Sequence, residues 1–303
     1  MLKLVILIIY FAVLIGIGLY CRKHATDVNG FVLGGRSVGP WLTAFAYGTS
    51  YFSAVVFVGY AGQFGWKYGI AATWAGIGNA IIGSLLAWVV LGRRTRIMSQ
   101  HLDSATMPQY FGKRFGSNPL KIGASVIIFI FLIPYTASLY NGLSRLFGMA
   151  FNIDYSVCII IMATLTAIYV IAGGYMATAI NDFIQGIIML FGIVAVIAAV
   201  IHSKGGFMSA LQGLANVSDP AVSDTPGIFA SFFGPDPFNL LCVVILTSLG
   251  TWGLPQMVQK FYAIDNEASI QKGTVISTIF ALIVSGGCYF LGGFGRLFSD
   301  QID

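Results

Sequence analysis

The sequence predicts an all-α polytopic membrane fold, and three observations predict it. Hydrophobic residues make up 57% of the 303 positions and charged residues only 9%, where a soluble domain carries about a quarter charged. A chain this apolar cannot cover a surface that faces water, so the bilayer is its solvent. Apolar runs long enough to cross the hydrocarbon core recur along the chain. These runs are continuous, which excludes the short alternating strands of a membrane barrel, and a helix satisfies its own backbone in lipid.

The runs lie at roughly 2–20, 41–65, 70–91, 122–149, 155–175, 183–201, 237–258 and 274–295. The first could be mistaken for a signal peptide. It is long, and no small-x-small cleavage site precedes Cys21-Arg22-Lys23-His24, so it reads as a retained helix. The loops carrying Arg22, Lys23 and Arg36, then Arg93, Arg94, Arg96, Lys113, Arg114 and Lys121, then Lys260 and Lys272, all fall on one side. The opposite side has Lys67, Arg145, Lys204 and Arg296, with Lys3 at the N-terminus. The richer side is cytoplasmic by the positive-inside rule. This predicts a multi-pass plasma-membrane protein with an extracytoplasmic N-terminus. The connection at 202–236, rich in Gly, Ser, Pro and Asp, then reads as a solvated external loop, and Asn216-Val-Ser218 within it forms a glycosylation sequon.

Spans two and seven are interrupted. In span two Gly48, Thr49, Ser50 and Ser53 cluster near mid-span. They either free carbonyl oxygens at an unwound turn, suited to a small hard cation, or simply let helices pack closely. In span seven Pro255 removes the usual partner of the Thr251 carbonyl, and Gly250 and Gly253 make the same turn easy to distort. Trp252 there either covers a solute or packs. The two spans are five apart, so they cross in opposite directions. Interrupted helices at matching positions of two inverted halves point to a transporter's binding site.

Other polar residues in the spans are few. Asp182 is the acid nearest to membrane depth. It reads either as a helix N-terminal acid or as a carboxylate on an ion path. Pro134 is expected to kink span four, where Tyr135, Thr136 and Tyr140 either line a cavity or join helices by hydrogen bonds. Asn79 is the one amide in the middle of span three. His24, His101 and His202 read as loop residues, which disfavours a haem bundle or an intramembrane hydrolase. No enzymatic activity is expected. The cysteines, Cys21, Cys158, Cys242 and Cys288, are scattered and suggest neither disulfide nor zinc. The net charge of +5 forms no basic stripe with interleaved aromatics, so nucleic acid is not an expected partner.

Several segments resemble the sodium:solute symporter family, whose members take sugars, proline, pantothenate or sialic acid. Span two with Gly59-Tyr-Ala-Gly62 resembles the family's broken first core helix. Thr106-Met-Pro-Gln-Tyr-Phe-Gly-Lys-Arg-Phe115 is similar to its T-x-P-E-[FY]-x3-RF stretch, with Gln109 in place of the usual Glu. Tyr169-Val-Ile-Ala-Gly-Gly-Tyr-Met-Ala177 and Asn181-Asp-Phe-Ile-Gln185 resemble its Y-x3-GG-x2-A and T-D-x-[IL]-Q signatures. Trp252-Gly253, Gln256 and Gln271-Lys-Gly273 resemble its sixth core helix and the loop that follows.

The resemblance implies the five-plus-five inverted-repeat, leucine-transporter-like fold, preceded by one extra helix. One transmembrane transporter domain over 1–303 is expected, with the extra helix at 2–20, the first repeat at 41–201 and part of the second at 237–295. Because the chain ends at Asp303, just after core helix seven, the second repeat is expected to be incomplete. The resemblance further implies a sodium ion held partly by the backbone carbonyls of Thr49 and Phe52, with Asp182 as the carboxylate of a second ion site or exit path. A solute is expected near Ser53, Val56, Asn79, Tyr135, Ser248 and Trp252. Ser248, Ala281 and Val56 replace an Asn, a Lys and a Gln of the sugar pocket, and span four has no buried Arg for sialate. The expected function is therefore sodium-coupled import of a small organic solute, such as an amino acid, by alternating access. Sodium is the coupling ion and there is no organic cofactor. The alternatives are a channel or uniporter on the same fold, or a membrane sensor module that does not transport.

Overall fold

Each apolar run becomes helix, and the places where helices stop are set by glycine and proline. A computed structural model of the protein describes residues 2–53 and 55–301; the side chains of Lys3 and His24 lie outside the described residues. In chain order the helices are α1 (Leu2–Cys21), α2 (Val28–Leu33), α3 (Pro40–Tyr51), α4 (Ala61–Tyr68), α5 (Thr73–Gly78), α6 (Arg93–His101) and α7 (Met107–Phe115). There follow α8 (Asn118–Phe151), α9 (Tyr155–Ser203), α10 (Phe207–Ala215), α11 (Pro237–Leu249), α12 (Pro255–Ala263) and α13 (Glu267–Gly293). No strand occurs among the described residues. The helices α1, α8, α9 and α13, and the stretch Ala61–His101, are long and apolar enough to cross a membrane, and α11 is a shorter apolar helix. Large apolar side chains stand exposed on α8 (Phe129, Phe131) and α9 (Ile171, Phe191), a surface that needs an apolar cover.

Both interrupted spans are broken. α3 stops at Tyr51, Phe52 and Ser53 leave the helix, and the chain resumes as a π-helical turn at Val55–Tyr60. α11 stops at Leu249 and α12 starts at Pro255, the first-turn position where a missing N–H costs nothing. The preceding Leu254 is extended (φ −69°, ψ 127°), as a residue before proline prefers. Two further π-helical segments, Asn79–Leu86 and Trp88–Gly92, interrupt the helical run from α5 to α6. α8 continues through Pro134 as one helix.

Spans five and six are joined as α9, divided at Gly174, whose φ of 56° and ψ of −147° suit glycine alone. Asp182 follows this break by two helical turns, so the reading as a helix N-terminal acid is corrected. A Cβ at Gly174 would also meet the Phe31 carbonyl oxygen at 2.8 Å. Gly174→Ala is expected to cost about 2 kcal/mol, readable as a lowered unfolding midpoint in detergent. No change in that midpoint would show that the backbone relaxes freely here.

The chain divides into two compact units. The first comprises Met1–Ser50, Trp88–Gly186 and Gly253–Ile276. Leu33, Val38, Tyr175, Ala179, Val258 and Tyr262 form a core in it, and the rings of Tyr47, Trp88 and Phe261 meet edge-on or tilted. Two arginines read above as loop cations serve as clamps. Arg36 donates to the carbonyls of Ser104 (2.9 Å), Ser99 and Tyr262. Arg96, buried, donates to the carbonyls of Ile264 (2.8 Å) and Asp265. α7 begins with a capping arrangement: Thr106 Oγ1 accepts from the Gln109 N–H, and Gln109 Oε1 accepts from the Ala105 N–H (3.0 Å). Gln109 thus does in this cap what a Glu would do.

The second unit comprises Tyr51–Ala87, Ile187–Trp252 and Ser277–Asp303. α4 and α13 approach so closely that a Cβ at Gly65 would lie 2.0 Å from the Gly292 carbonyl carbon. The expected solvated loop at 202–236 instead contains α10 and a short 3-10 turn at Ile228–Ala230. Ala210, Leu214 and Phe229 form a buried cluster with Phe294, packed by Ile70 and Phe290. The segment has enough apolar side chains at helical spacing to bury a face, and its Gly, Ser and Pro content hid this.

Candidate functional site

The predicted residues fall into two groups, one in each unit. Thr49 sits in the last turn of α3, where carbonyls have no amide partner within the helix. Phe52 and Ser53 form the break itself, with Phe52 buried and its ring stacked on Tyr51 (4.4 Å between centroids). Ser53 accepts from the Val56 N–H at 3.0 Å, and Val56 is buried. Thr49 and Phe52 thus flank the end of α3, where a helix leaves carbonyls without an intrahelical amide partner.

In the first unit Asp182 is met by a residue the sequence reading placed in a loop. The Lys260 Nζ lies 3.7 Å from Asp182 Oδ2, and the lysine side chain is 8% exposed. The ammonium also stands 5.0 Å from the centroid of the Tyr175 ring, a cation–π distance. The Thr49 hydroxyl, in the same unit, donates to the Phe45 carbonyl (2.9 Å). Lys260 was not among the residues singled out from sequence. Its only sequence signal was a lone lysine one turn after the buried amide Gln256. Tyr135, on α8 in this unit, is half-buried, and its carbonyl accepts from Ser138 Oγ (2.7 Å).

In the second unit Asn79 is the centre of a buried network. Its Oδ1 faces three hydroxyls, Tyr51 Oη at 3.2 Å, Thr247 Oγ1 at 3.1 Å and Ser248 Oγ at 3.1 Å. Its Nδ2 donates to Ser285 Oγ at 3.3 Å. An amide oxygen has two lone pairs, so one of the three hydroxyls must turn elsewhere. Tyr51 can donate to the Thr247 carbonyl and Thr247 to the Val243 carbonyl, both at 2.9 Å. Trp252, in the break after α11, donates its indole N–H to the Ile82 carbonyl at 3.0 Å. Asn79, Ser248 and Trp252 are thereby gathered by α5, α11 and the π-helical segments. Tyr51, Thr247 and Ser285 complete the set and were not singled out from sequence.

Discontinuous helices in an all-α chain of long apolar helices are the elements from which transporter folds build their binding sites. The model of the sodium:solute symporter family matches residues 31–299, and the chain belongs to that family. It is 30% identical over 296 residues to the osmoregulated proline transporter OpuE of Bacillus subtilis (strain 168), covering 97% of this chain and 58% of the relative. It is 32% identical over 282 residues to the sodium/proline symporter of Staphylococcus aureus (strain JH9), covering 88% of this chain and 51% of the relative. The chain thus spans little more than half the length of these relatives. The fold matches that of a Na+-coupled sialic acid symporter solved in a substrate-bound outward-open state. The TM-score is 0.77 at 17% identity, covering 99% of this chain and 62% of that one. The leucine-transporter-like fold and the multi-pass membrane character follow.

Proposed function

We propose that this chain is the cation- and solute-binding part of a sodium-coupled symporter that imports a small organic solute by alternating access. The observation that carries the reading is the pair of broken helices, at Phe52–Ser53 and at Gly250–Leu254, in a chain of this family. In this reading sodium takes the carbonyls of Thr49 and Phe52, and Asp182 binds a cation on its path. The solute is held by Ser53, Val56, Asn79, Ser248 and Trp252. The assignment of Tyr135 to the solute rests on the sequence. Relatives named for proline support an amino acid as the solute, and a compact hydroxyl-and-amide set such as that around Asn79 suits a small zwitterion. The membrane potential supplies about 2.3 kcal/mol per 100 mV for each charge carried inward. The N-terminus is extracytoplasmic, and the domain is one transmembrane unit with α1 as its extra helix.

The test is uptake by the full-length protein in proteoliposomes, with labelled proline first and a panel of other amino acids, carboxylates and sugars. Accumulation of an amino acid under an inward sodium gradient, and none with choline, is expected. Equal flux in choline would overturn the coupling and favour the uniporter reading.

A further inference from the structure

Lys260 has no part in the cycle just described, yet it is a buried cation of the first unit that makes no short hydrogen bond to its carboxylate partner. It is buried on α12, and its ammonium stands against Asp182 of α9 and the face of the Tyr175 ring. The Asp182 side chain is 22% exposed, and a carboxylate so largely removed from water is unfavourable without a counter-charge, so Asp182 needs a cation beside it at every stage of a cycle. At 3.7 Å the contact is longer than the about 2.8 Å of a charge-assisted hydrogen bond. The ammonium therefore neutralises the carboxylate without being locked to it.

The same two helices carry further oxygen donors. Neither atom of the Asn181 amide, next to Asp182, and neither atom of the Gln256 amide, one turn before Lys260, has a hydrogen-bond partner among the described residues. Both are buried there. Gln256 and Lys260 are four apart on α12 and share a face. A carboxylate is a hard-oxygen ligand, which suits sodium at least as well as an ammonium group. A free cation and the Lys260 ammonium cannot share one carboxylate without repelling each other.

We propose that Lys260 is a tethered competitor for the coupling ion: it holds Asp182 when sodium is absent and is displaced when sodium binds there. This rests on the sodium-coupled reading above and assigns that site its regulation. The lysine keeps the carboxylate neutralised through the empty part of the cycle and sets the sodium concentration at which the carboxylate is claimed. Sodium and Lys260 are then linked reciprocally, each weakening the hold of the other.

The experiment titrates sodium into the purified full-length protein, with choline keeping ionic strength constant, and follows tryptophan fluorescence and the unfolding midpoint. For Lys260→Gln the half-saturating sodium concentration is expected to fall about tenfold or more, the usual size of such a coupling. Lys260→Arg, which keeps the charge, stays near wild type. The double variant Asp182→Asn/Lys260→Gln loses the gain. A Lys260→Gln response equal to wild type, or one unchanged by Asp182→Asn, overturns the proposal. Should Lys260→Gln fail to fold, amine-reactive labelling of the wild-type chain read by mass spectrometry decides. Lys260 labels faster in sodium than in choline if it is displaced, and equal labelling overturns the proposal. A silent wild type beside a sodium-responsive Lys260→Gln would count against symport and leave the competition standing. A wild-type sodium response indifferent to Lys260 would do the reverse.

Discussion

Replacing Arg296 by methionine is expected to destabilise the second unit by about 3 kcal/mol, the lower end for breaking a buried ion pair. The Arg296 side chain is 4% exposed, and its guanidinium donates to Asp219 Oδ2 at 2.9 Å. Its Nε donates to the Trp66 carbonyl, and the group stands 3.9 Å from the Phe229 ring centroid and 4.8 Å from that of Trp66. Methionine can replace the packing between those rings. It cannot satisfy the Trp66 carbonyl or the Asp219 carboxylate, and each group left unpaired adds to the cost. Arg296→Lys keeps a charge without the planar fork and is expected to recover about half of the loss. Asp219→Asn is expected to cost only about 1 kcal/mol, because that side chain still reaches solvent and the amide can accept one hydrogen bond. Equilibrium unfolding of the full-length protein in detergent measures all three. Arg296→Met within experimental error of wild type would show that the ring stack, not the charge, holds this region.

Asn79→Leu is the second large effect, expected at about 3 kcal/mol. Leucine is close to asparagine in size, so the loss is polar. Ser248 and Ser285 lose the partners described above, while Tyr51 and Thr247 fall back on carbonyls. Removing both members of a buried hydrogen bond is far cheaper than removing one. Adding Ser248→Ala to Asn79→Leu should therefore recover about 1 kcal/mol, where Ser248→Ala alone destabilises. Strict additivity of the two substitutions would refute a direct Asn79–Ser248 bond.

The helices were legible because hydrocarbon demands long apolar runs, and the family because its short motifs keep their order. The break at Gly250–Leu254 was legible because Pro255 removes a named hydrogen bond. The break in α3 falls at Phe52–Ser53, at the end of the polar cluster at 48–53, since Gly and Ser loosen a helix without fixing where it parts. Lys260 beside Asp182 was not legible. The pair is long-range, and a lysine between two spans looks like any cytoplasmic loop charge until α12 turns it inward. The hydroxyls around Asn79 were hidden for a related reason. Tyr51, Thr247 and Ser285 lie on three segments that only folding brings together. The buried faces of α10 and of the turn at Ile228–Ala230 were masked by the glycines and prolines around them.

The oxygen of Asn79 is offered three hydrogens and accepts two. Its surroundings are therefore ordered in their heavy atoms and disordered in their protons, as in ice. Turning one hydroxyl passes the deficit to a neighbour without moving a helix. Such a cluster retains entropy that a rigidly paired core has given up.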